Sequence, residues 1–365
     1  MPPVRAVCVA GARPNFMKIK PVLDALEARG VDTVLVHTGQ HYDPAMSDVF
    51  FEELAIRRPD HSLDVGSGSH AVQTAGVMTA FEPLLASLDA DAVVVVGDVN
   101  STMACTLVAA KALVPVAHVE SGLRSRDWTM PEEVNRVVTD RLTHWLLAPS
   151  PDAVDNLLAE GTDPATIHLV GNVMVDTLLA NIERAHRRPT LDELGVVGGA
   201  YGLVTLHRPA TVDDPEVLGP VMHALGELSL DLPLLFPVHP RTRAQLDGYG
   251  LPASVRLVDP LGYLDFLALQ AGAGIVLTDS GGIQEETTVL GVPCLTLRDN
   301  TERPITVSEG TNQLVGRDPA RILAAARAVL ASPPPARRPA LWDGHAAERI
   351  ADALLAPTDS TEFTQ

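Results

Sequence analysis

Short, unbroken apolar runs recur along this chain. Each is followed by a stretch in which apolar residues return every three or four positions. In the first half the runs fall at residues 5–10 (Arg5-Ala6-Val7-Cys8-Val9-Ala10), 33–37, 91–98, 114–120 and 145–150. In the second half they fall at 201–206, 234–238, 256–258, 273–277 and 294–298. Runs that are apolar throughout, rather than alternating, belong to strands buried on both faces, as in a parallel sheet covered by helices. Between them the spacing predicts helices over 16–28, from Met130-Pro131, over 264–270, and over 283–290, where Ile283, Thr287 and Leu290 share a face and Gly291-Val292-Pro293 ends the helix. A strand–turn–helix–strand unit with Gly11 at its first turn is how doubly wound sheets begin. The expected class is α/β.

Length divides the pattern in two. A chain of 365 residues suits two α/β domains of about 170 residues each. The passage between them is expected near Gly171-Asn172-Val173, giving domains at 1–171 and 172–344. Pro333-Pro334-Pro335 breaks the chain before a last helix within 345–356, and the polar tail 357–365 reads as disordered. No apolar run approaches the roughly 20 residues of a membrane helix, and the start of the chain lacks a signal-peptide pattern. Cys8, Cys105 and Cys294 lie scattered in apolar segments, as core residues rather than ligands or disulfides. No metal-ligand spacing and no Gly-x-Gly-x-x-Gly pattern occurs, so neither a metal nor a dinucleotide cofactor is expected. A cytoplasmic protein is the reading.

Charge then narrows the partners. A net charge of −19 argues against nucleic acid and anionic membranes, and makes any local basic cluster more informative. Ser280-Gly281-Gly282 stands where the strand 273–277 turns into a helix, and such a corner offers free backbone N–H groups and the positive end of a helix dipole to phosphate. Other strand ends carry Asp98, Glu120, His207-Arg208 and His239, while Glu132 opens a helix behind Pro131. Ligands of such sheets bind beyond the carboxyl ends of the strands. Taken alone, His239 reads as a satisfied surface or core residue, and Glu132 reads equally as a helix-end acid or a functional one.

Seven motifs together carry a resemblance. They are Gly11-Ala12-Arg13-Pro14 with Lys18; Gly97-Asp98; His118-Val119-Glu120-Ser121-Gly122-Leu123-Arg124; Pro131-Glu132-Glu133-Val134-Asn135-Arg136; His207-Arg208; Asp279 through Glu286; and Thr301-Glu302-Arg303-Pro304. From about Val4 to Leu355 the chain resembles the non-hydrolysing UDP-N-acetylglucosamine 2-epimerases. The resemblance implies a GT-B fold: two Rossmann-like domains with the active site in the cleft between them, and the last helix returning to the first domain. It implies interconversion of UDP-GlcNAc and UDP-ManNAc, through elimination of UDP to 2-acetamidoglucal and its re-addition, with no cofactor. It also implies a homodimer.

The same resemblance assigns residues. Asp98, Glu120 and Glu132 match the acid/base carboxylates, with His207 beside them. Ser280, Gly281 and Gly282 would hold the diphosphate with Arg13 and His207; Glu286 the ribose; Leu261 and Phe266 the uracil; Arg303 and Lys18 the substrate. Gln40, His41, Arg208 and His239 match positions of an allosteric UDP-GlcNAc site, but Tyr42-Asp43 and Gly66-Ser67-Gly68-Ser69 depart from regulated members. Strict dependence on UDP-GlcNAc as activator is therefore not expected. Pro209-Ala210-Thr211 likewise replaces a more polar stretch. The alternatives are an epimerase of a related UDP-aminosugar, a GT-B glycosyltransferase, a hydrolysing epimerase, and a silent nucleotide-sugar-binding protein.

Overall fold

The computed structural model describes residues 5–39, 51–238, 240–246 and 248–356; at 13, 209, 210, 240, 241 and 244 it describes the backbone alone. The chain forms two compact units. One comprises residues 1–177 with 340–365, the other 178–339.

The first unit is built on seven parallel strands: β1 (Arg5–Ala10), β2 (Asp32–His37), β3 (His61–Ser62), β4 (Ala92–Val96), β5 (Val116–Val119), β6 (Trp145–Ala148) and β7 (Ile167–Leu169). Their order across the sheet is β3-β2-β1-β4-β5-β6-β7. The all-valine strand face of β4 is wholly buried, which is why it reads as an unbroken apolar run. Phe81, Val77, Leu85 and Cys105 pack over Val7, Val9, Val93 and Val95 to form the core on one side. Order reverses between β1 and β4, so a crevice opens beyond their carboxyl ends, where Gly11 and Gly97-Asp98 lie.

The second unit repeats the plan with six parallel strands: β8 (Gly202–Thr205), β9 (Leu234–Pro237), β10 (Val255–Val258), β11 (Ile275–Thr278), β12 (Cys294–Thr296) and β13 (Asn312–Leu314), ordered β10-β9-β8-β11-β12-β13. Here order reverses between β8 and β11, which deliver His207-Arg208 and Asp279-Ser280 to neighbouring positions. Val204, Phe236, Leu277 and Leu295 anchor one core layer; Tyr201, Leu203, Leu269 and Val276 anchor the other.

The chain passes between the units within helix Val173–His186 and again at 339–340. The last helix, Ala346–Leu355, lies with the first unit. The Asp176 carboxylate accepts from the amides of Ala346 and Ala347 at 3.2 and 2.7 Å, capping that helix. The Trp342 indole, 1% exposed, donates to the Pro149 carbonyl at 3.1 Å, and Arg29 pairs with Asp352. The first helix begins at Arg13, three residues before its predicted start, because Pro14 occupies the first turn, where its missing N–H costs nothing. Three strands, β3, β7 and β13, were not predicted. All are two or three residues long at or near a sheet edge, and too exposed to read as buried runs.

Candidate active site

In the first unit the turn after β1 is held by Asn15. Its side-chain oxygen accepts from the amides of Gly11 (3.2 Å) and Ala12 (2.8 Å), and its amide donates to the Val96 carbonyl at 3.1 Å. Gly11 must be glycine, since a Cβ there would sit 2.7 Å from Ser101 Oγ. One helical turn on, buried Lys18 donates through Nζ to Glu120 Oε2 at 2.5 Å. Glu120 follows β5 and holds φ at +70°, a left-handed conformation that side chains other than glycine rarely adopt. Gly97, at φ +67°, leaves room for this pair: a Cβ there would lie 3.4 Å from Lys18 Nζ and 3.9 Å from Glu120 Oε2.

Asp98 follows directly. Arg136 reaches its Oδ2 with both Nε (3.0 Å) and Nη2 (2.6 Å), and the Asn135 amide donates to its carbonyl at 2.9 Å. Glu132 lies on the same helix, Pro131–Arg141, partly exposed and with no hydrogen-bond or ion-pair partner among the described residues. Thus Asp98, Glu120 and Lys18 are gathered at the adjoining ends of β4 and β5, with Glu132 on the helix that supplies Arg136 and Asn135.

Several residues that hold this arrangement escaped the sequence reading. Glu133, rather than answering its own helix terminus, accepts from the amides of Ser125 (2.9 Å) and Arg126 (2.8 Å) and pairs with Arg136 at 2.6 Å. Burial opposes ionisation of Glu133, but those amides and Arg136 outweigh it and hold the carboxyl below its usual range. His118 Nδ1 lies 2.7 Å from Asp140 Oδ1 and its Nε2 2.8 Å from the Gly97 carbonyl. Asp140 also accepts from the Gly122 amide (3.0 Å) and pairs with Arg124 (2.7 Å), which reaches Glu160. Asp140 is fully buried, yet its partners His118 and Arg124 keep it below the usual carboxylate range. Gly122, at φ +80°, is pressed so close that a Cβ would be 2.3 Å from the Ala153 carbonyl. For Glu133, Arg136, His118, Gly122 and Arg124 the signal in the sequence was membership of the same motifs as Glu120 and Glu132; Asp140 and Glu160 lie outside those motifs, and the pairings themselves join distant positions.

In the second unit Ser280 precedes helix Gly281–Leu290 and makes no side-chain capping bond, so its hydroxyl remains available beside the helix's free amides. Gly281 and Gly282 prove unlike. A Cβ at Gly281 would be 2.6 Å from both Arg303 Nη1 and Glu302 Oε1, whereas among the described residues nothing lies within 4 Å of one at Gly282. The first glycine admits the arginine; the second leaves the helix end open.

His207 is well exposed, at 61% of its side chain, and its Nδ1 lies 3.0 Å from buried Asp279 Oδ1. Asp279 also accepts from the amides of His207 and Arg208 at 3.1 and 3.0 Å. Burial disfavours its charge, but His207 and these amides hold it below the usual range. Glu302 is ringed by Arg303 (2.7 Å), Arg298 (2.8 Å) and Arg208 (3.5 Å), and despite burial they keep it strongly ionised. Arg303 additionally reaches Glu285 at 2.7 Å. Arg298 Nη1 is buried with no acceptor among the described residues. Leu261 and Phe266 pack against the Tyr201 core layer, and Glu286 is buried one turn into the helix after Gly282, where Tyr263 donates to its Oε1 at 3.3 Å. The Arg13 side chain and residues Gln40, His41 and His239 lie outside what is described, so of the allosteric set only Arg208 is placed. Among the described residues no group of His, Cys, Asp and Glu is arranged to hold a metal ion, and no helix is long and apolar enough to cross a membrane.

Comparison with known proteins follows this geometry. A family model described as UDP-N-acetylglucosamine 2-epimerase matches residues 24–355. The chain is similar to a UDP-N-acetylglucosamine 2-epimerase of Methanocaldococcus jannaschii, 40% identical over 357 residues, 95% of this chain and 97% of that one. It is also 39% identical over 356 residues to a UDP-2,3-diacetamido-2,3-dideoxy-D-glucuronate 2-epimerase of Pseudomonas aeruginosa, covering 96% and 99%. The crystal structure of the M. jannaschii enzyme in complex with UDP-GlcNAc and UDP superposes with a TM-score of 0.89 at 40% identity, over 96% of this chain and 99% of that one. The two parallel sheets are those of a GT-B-like epimerase fold.

Proposed function

The chain belongs to the UDP-N-acetylglucosamine 2-epimerase family, and from that premise we propose that it interconverts UDP-GlcNAc and UDP-ManNAc without releasing free sugar. One observation carries the reading. At the ends of β4 and β5 stand two carboxylates, Asp98 and Glu120, each already facing a cation, with Glu132 nearby on the helix that clamps Asp98.

The C2 hydrogen of the sugar adjoins no carbonyl, so its direct removal would be very slow. Elimination avoids this. A carboxylate takes the C2 proton, the electron pair forms the C1–C2 double bond of 2-acetamidoglucal, and the C1–O bond breaks with its pair passing to the UDP diphosphate. A carboxylic acid then returns a proton to the opposite face of C2, and a diphosphate oxygen adds back to C1. Asp98, Glu120 and Glu132 supply the proton acceptors and donor. Ser280, the open helix end at Gly282, His207, Arg303 and Arg13 hold the diphosphate as leaving group and nucleophile, with Arg298 and Arg208 adding positive charge behind them. Glu286 takes the ribose, Leu261 and Phe266 the uracil, and Lys18 orients Glu120. A homodimer working in the cytoplasm belongs to the same proposal.

NMR of UDP-GlcNAc incubated in D₂O tests the chemistry. Deuterium at C2 in both sugars is expected. A sugar that stays protonated at C2 would signify a transferase, and free ManNAc with UDP a hydrolase. The 39% identity to an epimerase of a diacetamido-glucuronate favours one second reading, a modified UDP-aminosugar as substrate. Running both sugars in the same assay separates the two.

A further inference from the structure

Glu286 is a buried carboxyl with no cationic partner among the described residues, although three arginines stand around Glu302. The groups facing it are few. Tyr263 and Gln270 come from helix Tyr263–Gly272, and Glu285, paired with Arg303, from its own helix. Burial pushes Glu286 up to about 7; Tyr263 opposes it, the neighbouring Glu285 adds to it, and Gln270 opposes it least. The Gln270 carboxamide is 0% exposed and lies beside Glu286, yet among the described residues neither its oxygen nor its nitrogen reaches full hydrogen-bond geometry. A buried amide left in that condition is costly unless a charged acceptor beside it can use the donor.

Two vicinal hydroxyls donating one to each oxygen of a carboxyl are accepted best by the ionised form, in which neither oxygen carries a proton of its own. Resting on the reading of Glu286 as the ribose group, we propose that nucleotide binding by this chain is proton-linked: Glu286 sheds a proton to solvent as it takes the ribose diol, and Gln270 is the positioning residue that meets the carboxylate so formed. The cluster thereby makes uridine recognition sensitive to pH and to the 2′-hydroxyl together.

Calorimetric titration with UDP-GlcNAc, whose phosphates are both esterified, tests this in two buffers of different ionisation enthalpy. Epimerisation itself consumes no proton, so the buffer dependence counts only linked protons. Close to one proton released at pH 6 and almost none at pH 8.5 is expected, with affinity rising roughly tenfold across that range. Glu286→Gln should abolish the release and flatten the profile. Gln270→Met, similar in volume, should move the release to higher pH and weaken binding severalfold at pH 7, with the gap closing by pH 9. Buffer-independent heats at pH 6–7, or a Gln270→Met profile matching wild type, overturn the proposal, and the wild-type proton count decides alone should that variant not fold. Binding and C2 deuteration without proton release sinks this inference only. Absence of both binding and deuteration overturns the epimerase reading and this one with it.

Discussion

The two switch-point crevices distribute their charges differently. Among described side chains, the first unit sets Asp98, Glu120, Glu132 and Glu133 against Lys18 and Arg136, which leaves carboxylate in excess. The second sets Arg208, Arg298 and Arg303 against Glu302, Glu285 and Asp279, a near balance, with one Arg298 nitrogen still unmatched, and adds a helix N-terminus. A doubly wound sheet supplies the same crevice in both units; the residues at its strand ends make one suited to moving protons and the other to holding diphosphate. In a chain of net charge −19, the arginine cluster is the more pointed of the two.

The sharpest way to break this contrast is Asp98→Asn. A carboxylate that moves the proton, once neutralised in place, should cost about 10²–10⁴-fold in kcat while UDP affinity, measured by titration, stays within twofold. Near-normal turnover removes Asp98 from the chemistry, and lost UDP affinity would show that the division of labour is wrong.

Glu286→Gln comes next and has a sign. A carboxyl whose pKa is about 7 folded and about 4.3 unfolded favours folding when protonated, so its stability contribution is full below the unfolded value and is lost as pH rises through 7. The neutral isostere should therefore raise the unfolding free energy at pH 8, by up to about 3 kcal/mol, and change little at pH 4. Asp279, Glu302, Asp140 and Glu133 run the other way: depressed when folded, they stabilise above about pH 4 and lose that contribution on further acidification. Equal effects of Glu286→Gln at pH 4 and pH 8 would contradict the uncompensated burial of Glu286.

The smallest effects separate two adjacent glycines. Gly281→Ala forces Cβ into Arg303 and Glu302 and should cost about 1–3 kcal/mol with weakened UDP binding. Gly282→Ala meets open space, so chemical denaturation should show it neutral or stabilised by about 0.5–1 kcal/mol, with its penalty confined to UDP affinity. Identical behaviour of the pair would mean that the helix end does not distinguish ligand from arginine.

Much of this was legible before any coordinates. The unbroken runs of β1, β4, β8 and β11 read as buried parallel strands because both of their faces are covered, and Asp98, Glu120 and Ser280 read as strand-end residues because the runs stop there. The motif at Pro131–Arg136 was visible, but the separate fates of its two glutamates were not. Glu133 turns back to the amides of Ser125 and Arg126, while Glu132 is left open, and that depends on how the loop 120–130 returns to the helix. Gln270 gave no signal at all, since a glutamine near the end of a helix is ordinarily solvated.

Local pattern by itself determined the α/β class, the two-part division, the strand ends that bear chemistry and, through the joint motifs, the family. These depend on periodicity and on residue type at a strand terminus, both properties of neighbours along the chain. Only tertiary structure decided which charges meet. Lys18 and Glu120 are 102 positions apart, and Arg208 and Glu302 are 94 apart. Whether a carboxyl ends beside a guanidinium, as Glu302 does, or beside a tyrosine and an idle amide, as Glu286 does, is set by sheet order and helix packing, and those determine its protonation.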